Sequence, residues 1–266
     1  MISFPNAKIN LGLNITEKRS DGYHNIESCF YPIGWSDILE IIPSNKLTFS
    51  STGIPIPGNG NSNLCLHAYH LLQKSFGIPP VNIHLHKVIP IGAGLGGGSS
   101  DGAFTLKILN EMFQLSLSIE QLELYAGKLG SDCPFFIQNK PKYVTGTGDN
   151  FQSVDLDMSG KYLIVIKPDI HISTSDAYAG TQPQHPTSNI KEILQNQSMS
   201  DWKDQLINDF EEFIFSNHGV IAETKKTLYE RGAVYASMTG SGAAVFGIFD
   251  YKVVIDTSYT TWSSQL

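Results

Sequence analysis

The segment 90–101, PIGAGLGGGSSD, constrains the fold of this chain more than any other stretch. Five of the seven residues from 92 to 98 are glycine, and glycine permits the positive φ angles that turn several backbone N–H groups toward one anion. Apolar residues recur at helical spacing after the segment, so a helix N-terminus with further unpaired N–H groups is expected there. We therefore predict a phosphate-binding loop, to which Ser99 and Ser100 add hydroxyl groups.

Other interpretations of this loop are less favourable. A P-loop is not indicated, because no lysine follows the glycines, and the loop is not a dinucleotide-binding fingerprint with an acidic residue about 20 positions beyond it. A flexible linker is disfavoured, since a strand-like stretch ending in Lys87 precedes the loop and an apolar helix follows it.

The overall composition limits the classes of function. The chain has 266 residues, a formal net charge of -7 and a pI near 5.6, which argue against bulk electrostatic binding to nucleic acid or an anionic membrane. Cys29, Cys65 and Cys133 are far apart and odd in number, so a disulfide framework is not expected. No stretch approaches the ~20 apolar residues that a membrane-spanning helix needs. We expect a cytoplasmic protein that binds small molecules.

Apolar periodicity and turn residues predict an α+β chain. A hairpin is expected over 7–33, because two strand-like stretches flank a turn at 18–22. The polar segment 182–200, with two prolines, is expected to be an exposed and mobile excursion, and a domain boundary is expected near residue 155. The other predicted strands span 37–42, 47–51, 81–87, 143–154, 161–167, 233–238 and 243–249. Helices are predicted over 63–76, 118–128, 202–215 and 220–231, and a further helix of about four turns is predicted after the glycine loop. Asn63 is the expected N-cap of the first helix, which Gly77 ends, and Ser118 with Gln121 is the expected capping box of the second.

A small set of polar residues points to phosphoryl transfer. Asp132 lies between a helix-ending glycine and a proline-stopped apolar run, Lys8 lies in the first strand, and a second glycine loop occupies 239–242. In phosphoryl transfer, backbone N–H groups orient phosphates, an acid accepts the hydroxyl proton and a lysine offsets negative charge. Taken alone, Asp132 is better explained as a turn-capping residue and Lys8 as a solvated strand residue.

The sequence resembles the GHMP kinases, a family named for galactokinase, homoserine kinase, mevalonate kinase and phosphomevalonate kinase. The three family motifs occur in order, as 7–11 (AKINL), 90–101 and 238–246 (MTGSGAAVF). Further marks of the resemblance are 21–24 (DGYH), 130–136 (GSDCPFF) and 208–211 (NDFE). The resemblance implies a GHMP kinase fold of two domains. Residues 1–155 are expected to be similar to domain 2 of ribosomal protein S5, and residues 156–266 are expected to be ferredoxin-like.

The turn at 21–24 is the most discriminating mark within the family. It implies a kinase whose acceptor is a cytidine diphosphate sugar alcohol. The implied reaction moves the γ-phosphoryl group of ATP to the 2-hydroxyl of a methylerythritol moiety, in the non-mevalonate route to isoprenoid precursors. Mg²⁺ is expected to be held mainly through the nucleotide phosphates, with no dedicated protein ligands. A monomer or a homodimer is expected.

The same resemblance assigns roles to individual residues. Asp132 is the expected catalytic base, with Lys8 as its cationic neighbour. Tyr23 is expected to stack on a cytosine ring that Tyr178 closes from the other side, while His24 pairs with the polar edge of the ring. The expected ATP-binding residues are Asn63, Lys87, Pro90, Gly92, Gly94, Leu95, Gly96, Gly97, Gly98, Ser99 and Ser100. The expected substrate-binding residues are Asn10, Tyr23, His24, Thr174, Tyr178, Gly240 and Ser241.

Two other functions are compatible with the sequence. One is a GHMP kinase for a different small molecule, of the homoserine or mevalonate type. The other is a non-catalytic nucleotide-binding protein on the same scaffold, which retention of both Lys8 and Asp132 argues against. Two histidine pairs, 67 with 70 and 84 with 86, have spacings that suit a metal, but no third ligand lies nearby in sequence, so solvated or half-buried histidines are preferred.

Overall fold

The computed structural model describes residues 1–57, 63–186 and 189–266. The chain forms two compact units that interleave along the sequence. Unit 1 comprises Met1–Ala7, Trp35–Ile91 and Gly96–Lys140, and unit 2 comprises Lys8–Gly34, Gly92–Leu95 and Pro141–Leu266. These units are defined by contacts in space, so the sequence boundary near residue 155 stays a prediction.

Strands and helices occur mostly in consecutive groups along the chain. The strands are β1 (Ile2–Ser3), β2 (Asn6–Lys18), β3 (His24–Ser36), β4 (Ile38–Pro43), β5 (Thr48–Gly53), β6 (Val81–Lys87), β7 (Lys142–Thr145), β8 (Asn150–Ser153), β9 (Tyr162–Lys167), β10 (Tyr235–Met238), β11 (Val245–Phe249) and β12 (Thr260–Gln265). The helices are α1 (Leu64–Phe76), α2 (Gly97–Met112), α3 (Ile119–Gly127), α4 (Phe135–Gln138), α5 (Thr174–Gly180), α6 (Ile190–Asn196), α7 (Phe210–Asn217) and α8 (Gly219–Glu230), with a 3₁₀ helix over Met199–Asp204. None of the helices in the described part of the chain combines the length and apolar composition of a membrane span.

Unit 1 contains a four-stranded sheet in the order β1-β4-β6-β5. β4 pairs antiparallel with β1 and β6, and β5 pairs in parallel with β6. Alternate residues of β6 are buried, as its VNIHLHK pattern predicts for a strand with one face on the core. Helices α1, α3 and α4 pack against α2. The sheet therefore fixes where the glycine loop begins, because β6 leads into it, and the helix layer fixes where the loop ends.

The ends of two helices of unit 1 confirm their sequence signals. The side chain of Asn63 caps α1 by accepting the Cys65 N–H at 2.8 Å, and Gly77 ends that helix with a φ of 65°. Ser118 and Gln121 make both hydrogen bonds of a capping box at the start of α3. These caps satisfy N–H groups that a helix cannot satisfy itself, so they stabilise two of the helices that pack on α2.

Unit 2 carries most of one four-stranded sheet and all of another. The first sheet has the order β2-β3-β7-β8, and its β2 and β3 confirm the predicted hairpin. The second has the order β10-β11-β9-β12 and is antiparallel throughout. Apolar residues of β2 and β3 share one buried cluster with those of the second sheet and of α7 and α8, including Leu13, Ile26, Ile166, Phe210 and Leu228. This shared core holds the first family motif, which lies in β2, against the third, which lies around β10 and β11.

The prediction of one exposed excursion over 182–200 is wrong for its second half. Helix α6 forms there and buries Ile190, Ile193 and Leu194. These residues recur at the spacing of one helix face, and Asn189 caps the helix by accepting the Glu192 N–H at 3.1 Å. Residues 187 and 188 of this segment lie outside the described residues.

The predicted helix over 202–215 is also wrong, since the 3₁₀ helix and α7 are separate. Asn208 divides them because its side chain bonds to backbone groups outside a helix. Its Nδ2 donates to Met238 O and Gly240 O at 2.8 and 2.9 Å, while its Oδ1 accepts the Phe210 N–H at 3.1 Å. Asparagine competes in this way with the helical hydrogen-bond ladder, and apolar periodicity alone does not report it.

The strand-like segment 143–154 is a hairpin rather than one strand. Gly146 and Gly148 adopt φ angles of 69° and 93° between β7 and β8, a region that glycine enters without strain. The edge strand β12 was not predicted, because its sequence TTWSSQ is polar and largely exposed.

Candidate active site

The part of the glycine loop from Gly96 onward belongs to unit 1 and ends in the start of α2. Gly96 caps the helix with a φ of 71°, and neither a capping side chain nor an acidic residue lies in the first turn. The Ser100 N–H makes a helical hydrogen bond to Gly96 O at 2.9 Å, so the N–H groups before it have no acceptor within the helix. A Cβ at Gly98 would meet no described atom within 4 Å. The helix start thus offers donors and space to an anion.

The two serines of the loop have different surroundings. The side chains of Ser99 and Cys133 are hydrogen-bonded to each other. Burial raises the pKa of the Cys133 thiol to about 12. The Ser100 hydroxyl is buried and has no hydrogen-bond partner among the described residues. A buried hydroxyl that lacks a partner is uncommon in folded proteins, and this one lies in the first turn of α2.

Asp132 is half-buried on the turn that precedes α4. The neighbouring Cys133 N–H donates to Gly130 O at 3.2 Å, which closes this turn. Because the Cys133 side chain also contacts Ser99, the turn is anchored against the glycine loop within unit 1. Asn63 lies in the same unit, where its side chain caps α1.

Lys87, at the end of β6, is buried between two carboxylates of unit 1. Its ammonium group donates to Asp37 Oδ2 and, at 2.7 Å, to Asp101 Oδ2. Only 3% of Lys87 is exposed, and Asp37 is fully buried. Burial acts to lower the pKa of Lys87, but the two carboxylates outweigh it and raise that pKa, while burial raises the pKa of Asp101.

Lys8 lies in β2 within unit 2 and is also only 3% exposed. Its Nζ donates to Asn10 Oδ1 at 2.6 Å and to Gly94 O at 3.1 Å, and it lies 4.7 Å from the centroid of the Phe30 ring. Its backbone N–H donates to Leu95 O at 2.9 Å. The first family motif therefore holds the middle of the glycine loop through both its backbone and its side chain.

The third family motif closes on the same cluster in unit 2. Gly240 N–H donates to Asn10 Oδ1 at 2.9 Å, and Thr239 Oγ1 lies 3.1 Å from both Asn10 Oδ1 and Gly94 O. A Cβ at Gly94 would lie 1.9 Å from Thr239 O, so only glycine fits between the two loops. The second glycine loop thus places the Gly240 N–H against the first half of the sequence. We call Lys8, Asn10, Gly94, Thr239 and Gly240 the motif cluster.

Aromatic residues gather beside α5 in unit 2. His24 stacks on Tyr178 with ring centroids 4.8 Å apart and an interplanar angle of 16°. The rings of Tyr178 and Phe210 meet edge-on, with their centroids 4.9 Å apart. The pKa of His24 is lowered, mainly because the side chain is partly buried and also because the positive charge of Lys18 is near. Tyr23 is 67% exposed, and its N–H donates to Asp21 Oδ1 at 3.1 Å. The predicted stack of Tyr23 and Tyr178 around a base stays a prediction, since His24 covers one face of Tyr178.

The remaining substrate residues and Gly92 of the glycine loop also lie in unit 2. Thr174 Oγ1 and Ser241 Oγ are 3.2 Å apart, so the start of α5 meets the second glycine loop. Gly92 adopts a φ of 64°, and a Cβ there would lie 2.9 Å from the His171 ring. Both contacts bring loop residues of the second and third motifs beside α5.

The predicted site residues are thus distributed over both units. Unit 1 carries Asn63, Lys87, Pro90, Gly96, Gly97, Gly98, Ser99, Ser100 and Asp132. Unit 2 carries Lys8, Asn10, Tyr23, His24, Gly92, Gly94, Leu95, Thr174, Tyr178, Gly240 and Ser241. The pairing of Lys8 with Asp132 stays a prediction.

Four residues at the site had no predicted role: Asp37, Asp101, Asn208 and Thr239. Thr239 had a weak signal, since it is part of the third motif, 238–246. Asn208 was part of a quoted motif, whereas the isolated Asp37 carries no sequence pattern.

Comparison with known proteins agrees with these features. Residues 63–140 match the family described as GHMP kinases N terminal domain, and residues 188–262 match GHMP kinases C terminal. The 4-diphosphocytidyl-2-C-methyl-D-erythritol kinase of Bacteroides thetaiotaomicron is 53% identical over 270 residues, covering 100% of this chain and 97% of that protein. The protein of the same name from Bacteroides fragilis is 53% identical over 253 residues, covering 94% of this chain and 92% of that protein.

A solved structure supports the same grouping. The crystal structure of a 4-(cytidine 5'-diphospho)-2C-methyl-D-erythritol kinase is 29% identical, with a TM-score of 0.80, and the match covers 93% of this chain and 90% of that one. The expected GHMP kinase fold is confirmed by this match and by both family matches. The chain belongs to the GHMP kinase family.

Proposed function

We propose that this chain is an ATP-dependent kinase that phosphorylates the 2-hydroxyl of 4-diphosphocytidyl-2-C-methyl-D-erythritol, in the non-mevalonate route to isoprenoid precursors. The observation that carries the proposal is the motif cluster, in which all three family motifs meet around Lys8. The choice of acceptor is supported by relatives that are 53% identical over nearly the whole chain and carry this enzyme's name.

ATP binds through the glycine loop and the start of α2. The donors of the first helical turn and the loop's backbone N–H groups orient the phosphates, because a helix start favours an anion. Positive φ angles at Gly92, Gly94 and Gly96, of 64°, 76° and 71°, turn the backbone toward the nucleotide. Pro90 and Leu95 set the course of the glycine loop, and Asn63 and Lys87 belong to the same ATP site.

Magnesium fits this site as a nucleotide-bound ion. The described residues contain no group of three or more His, Cys, Asp or Glu side chains suited to a metal. The hydroxyls of Ser99 and Ser100 are oxygen donors of the type that Mg²⁺ prefers, and the buried Ser100 hydroxyl has no partner among the described residues. Phosphate oxygens and water would supply most of the ligands of the ion. When bound, the ion neutralises charge on the β- and γ-phosphates.

The chemical step uses Asp132 and Lys8. Asp132 accepts the proton of the 2-hydroxyl while that oxygen forms its bond to the γ-phosphorus, and the bond from the γ-phosphorus to the bridging oxygen breaks to release ADP. Lys8 offsets the negative charge that gathers on the transferring group. Asn10 and Gly94 O hold its ammonium group in position.

The cytidine end binds beside α5. Tyr23 offers an exposed ring for stacking, and Tyr178 offers the second aromatic surface once His24 turns from stacking to the polar edge of the base. Thr174 and Ser241, already within 3.2 Å of each other, together with Gly240, contact the ribose and diphosphate.

The first experiment replaces Asp132 with asparagine, which keeps the shape of the side chain and removes the base. We expect turnover to fall by about 10²–10⁴-fold with both substrates still bound, as measured by ADP release and by calorimetric titration. Glu111→Gln makes the same change of charge at an exposed residue near the end of α2 and serves as the control. Turnover near that of the wild type in Asp132→Asn would contradict the proposed base.

A second experiment tests the acceptor. ADP release is measured with 4-diphosphocytidyl-2-C-methyl-D-erythritol, with the same alcohol lacking the cytidine diphosphate group, with homoserine and with mevalonate. We expect turnover with the first compound alone. Preference for homoserine or mevalonate would favour another kinase of the family, and absence of turnover with every acceptor would favour a nucleotide-binding protein.

A further inference from the structure

The buried ammonium group of Lys87 bonds to one carboxylate at the start of the glycine loop and to another at its end. At the entry, Asp37 Oδ1 accepts the N–H groups of Val88 and Ile89 at 2.6 and 2.8 Å, and its other oxygen, Oδ2, accepts a hydrogen bond from Lys87 Nζ. At the exit, Lys87 Nζ donates at 2.7 Å to Asp101, which lies in the second turn of α2. All of these residues belong to unit 1.

We propose that Lys87 is a positioning residue, whose bridge from Asp37 to Asp101 holds the two ends of the glycine loop together so that the first N–H groups of α2 are preorganised for the phosphates of ATP. This inference rests on the proposed function. It concerns how the nucleotide site is held, and it leaves the phosphoryl contacts to the loop.

The position of Lys87 excludes a direct hold on the nucleotide in this arrangement. Its ammonium group lies beneath the first residue of α2, since a Cβ added to Gly97 would be 3.0 Å from Lys87 Nζ. To reach a phosphate, the side chain would have to leave Asp37 and Asp101 buried without their cation, which is unfavourable. The helix start therefore stands between the ammonium group and the anion it serves.

The pattern of oxygens distinguishes this bridge from an ordinary ion pair. Asp37 uses one oxygen for two backbone N–H groups and the other for Lys87, so it links the cation to the main chain at the loop entry. Asp101 uses only Oδ2, because its Oδ1 is buried without a partner among the described residues. The bridge joins two stretches of backbone, which is what preorganisation of the loop requires.

This difference allows a matched pair of isosteric variants. An asparagine at 37 has only one acceptor oxygen, so Asp37→Asn must give up either the Lys87 bond or the two N–H bonds. An asparagine at 101 can keep its oxygen on Lys87, so Asp101→Asn need give up no bond. Both variants remove one formal charge and change the volume of the side chain little.

The experiment measures ATP binding by calorimetry in the presence of Mg²⁺, and the KM values of both substrates. We expect Asp37→Asn to weaken ATP binding and raise the KM for ATP at least tenfold, with the KM for the alcohol substrate within twofold of wild type. Asp101→Asn should stay within threefold on all three measurements. Asp101→Leu, which removes the exit bond, should resemble Asp37→Asn. Thr105→Val removes a 2.8 Å hydrogen bond one turn further along α2 and controls for general weakening of that helix.

Each outcome decides a separate question. If Asp37→Asn and Asp101→Leu bind ATP as the wild type does, with only a lower melting temperature, Lys87 is purely structural and the inference fails. If Asp101→Asn loses as much binding as Asp37→Asn, charge rather than the bridge is responsible, and the inference also fails. If the wild-type chain itself binds no ATP, the proposed function fails, and the inference falls with it.

Discussion

Two buried lysines of this chain look alike in sequence and differ in what surrounds them. Lys8 lies in β2 and Lys87 ends β6, and each is 3% exposed. In unit 2, the Lys8 ammonium donates to the Asn10 side chain and to the Gly94 backbone, two oxygens that carry no formal charge. In unit 1, the oxygens around Lys87 belong to two carboxylates. These contacts, rather than the residue type, suggest different roles for the two lysines.

The difference has an electrostatic consequence. Neutral oxygens position an ammonium group without cancelling its charge, so Asn10 and Gly94 orient Lys8 toward its role beside a substrate that is gaining negative charge. Carboxylates cancel the charge locally, so Lys87 serves as a link between Asp37 and Asp101. Removing the first lysine should affect chemistry most, and removing the second should affect stability and the shape of the nucleotide site.

The largest effect is expected for Lys87→Met, measured as stability. The substitution leaves the carboxylates of Asp37 and Asp101 buried without a cation, and breaking such a pair costs about 3–5 kcal/mol. Chemical denaturation of the purified protein measures the loss. The double variant Lys87→Met with Asp101→Leu should recover part of it, because Asp37 then keeps its bonds to the Val88 and Ile89 N–H groups. A double variant less stable than Lys87→Met would contradict this account.

The next largest effect is expected for Lys8→Met, measured as turnover. Loss of one preorganised cation or donor at a reacting centre costs about 10²–10³-fold in kcat, or about 2.7–4 kcal/mol. The KM for ATP should change less than kcat, since the Lys8 backbone still donates to Leu95 O at 2.9 Å. Steady-state kinetics with both substrates provide the measurement. A stability loss as large as that of Lys87→Met with unchanged kcat would show that the two lysines have the same role.

Features that depend on a few neighbouring residues were predictable from the sequence. The glycine loop, the Asn63 cap and the capping box of Ser118 are examples, because each signal lies within one turn of the chain. Asp37 was not predictable, since its partner Lys87 is 50 residues away and a single acid before a strand has no pattern. Apolar periodicity predicted one helix across Asn208. In the structure that helix is interrupted, because the Asn208 side chain bonds to the backbone of Met238 and Gly240.

The motif cluster shows the same limit within one motif. The third motif could be located from its glycines, but its threonine meets Asn10 across 229 residues of sequence. No local pattern predicts that the Thr239 hydroxyl contacts Asn10 and Gly94. The resemblance identified the segments that carry chemistry, and the fold supplies the hydrogen bonds that make them one site.

The smallest effect is expected for Thr239→Val, which tests the uncharged hydrogen bonds of the motif cluster. Thr239 is fully buried, accepts the Asn10 N–H at 3.1 Å and lies 3.1 Å from Gly94 O. Its loss leaves neutral groups unpaired, at a cost of about 1–3 kcal/mol, and should raise the KM for ATP through the loosened contact with Gly94. Thr239→Ser keeps the hydroxyl and should stay near wild type in denaturation and kinetics.

Thr224→Val is the matched control for this last variant, because it removes one buried hydroxyl, 2.8 Å from Val220 O, within α8. It should lower stability by about 1 kcal/mol and leave the KM for ATP unchanged. A loss of stability in Thr239→Val larger than that in Lys87→Met would mean that the hydrogen bonds of Thr239, rather than the ionic bridge of Lys87, contribute more to folding. Equal KM values in Thr239→Val and Thr224→Val would mean that the second glycine loop does not help to hold the first.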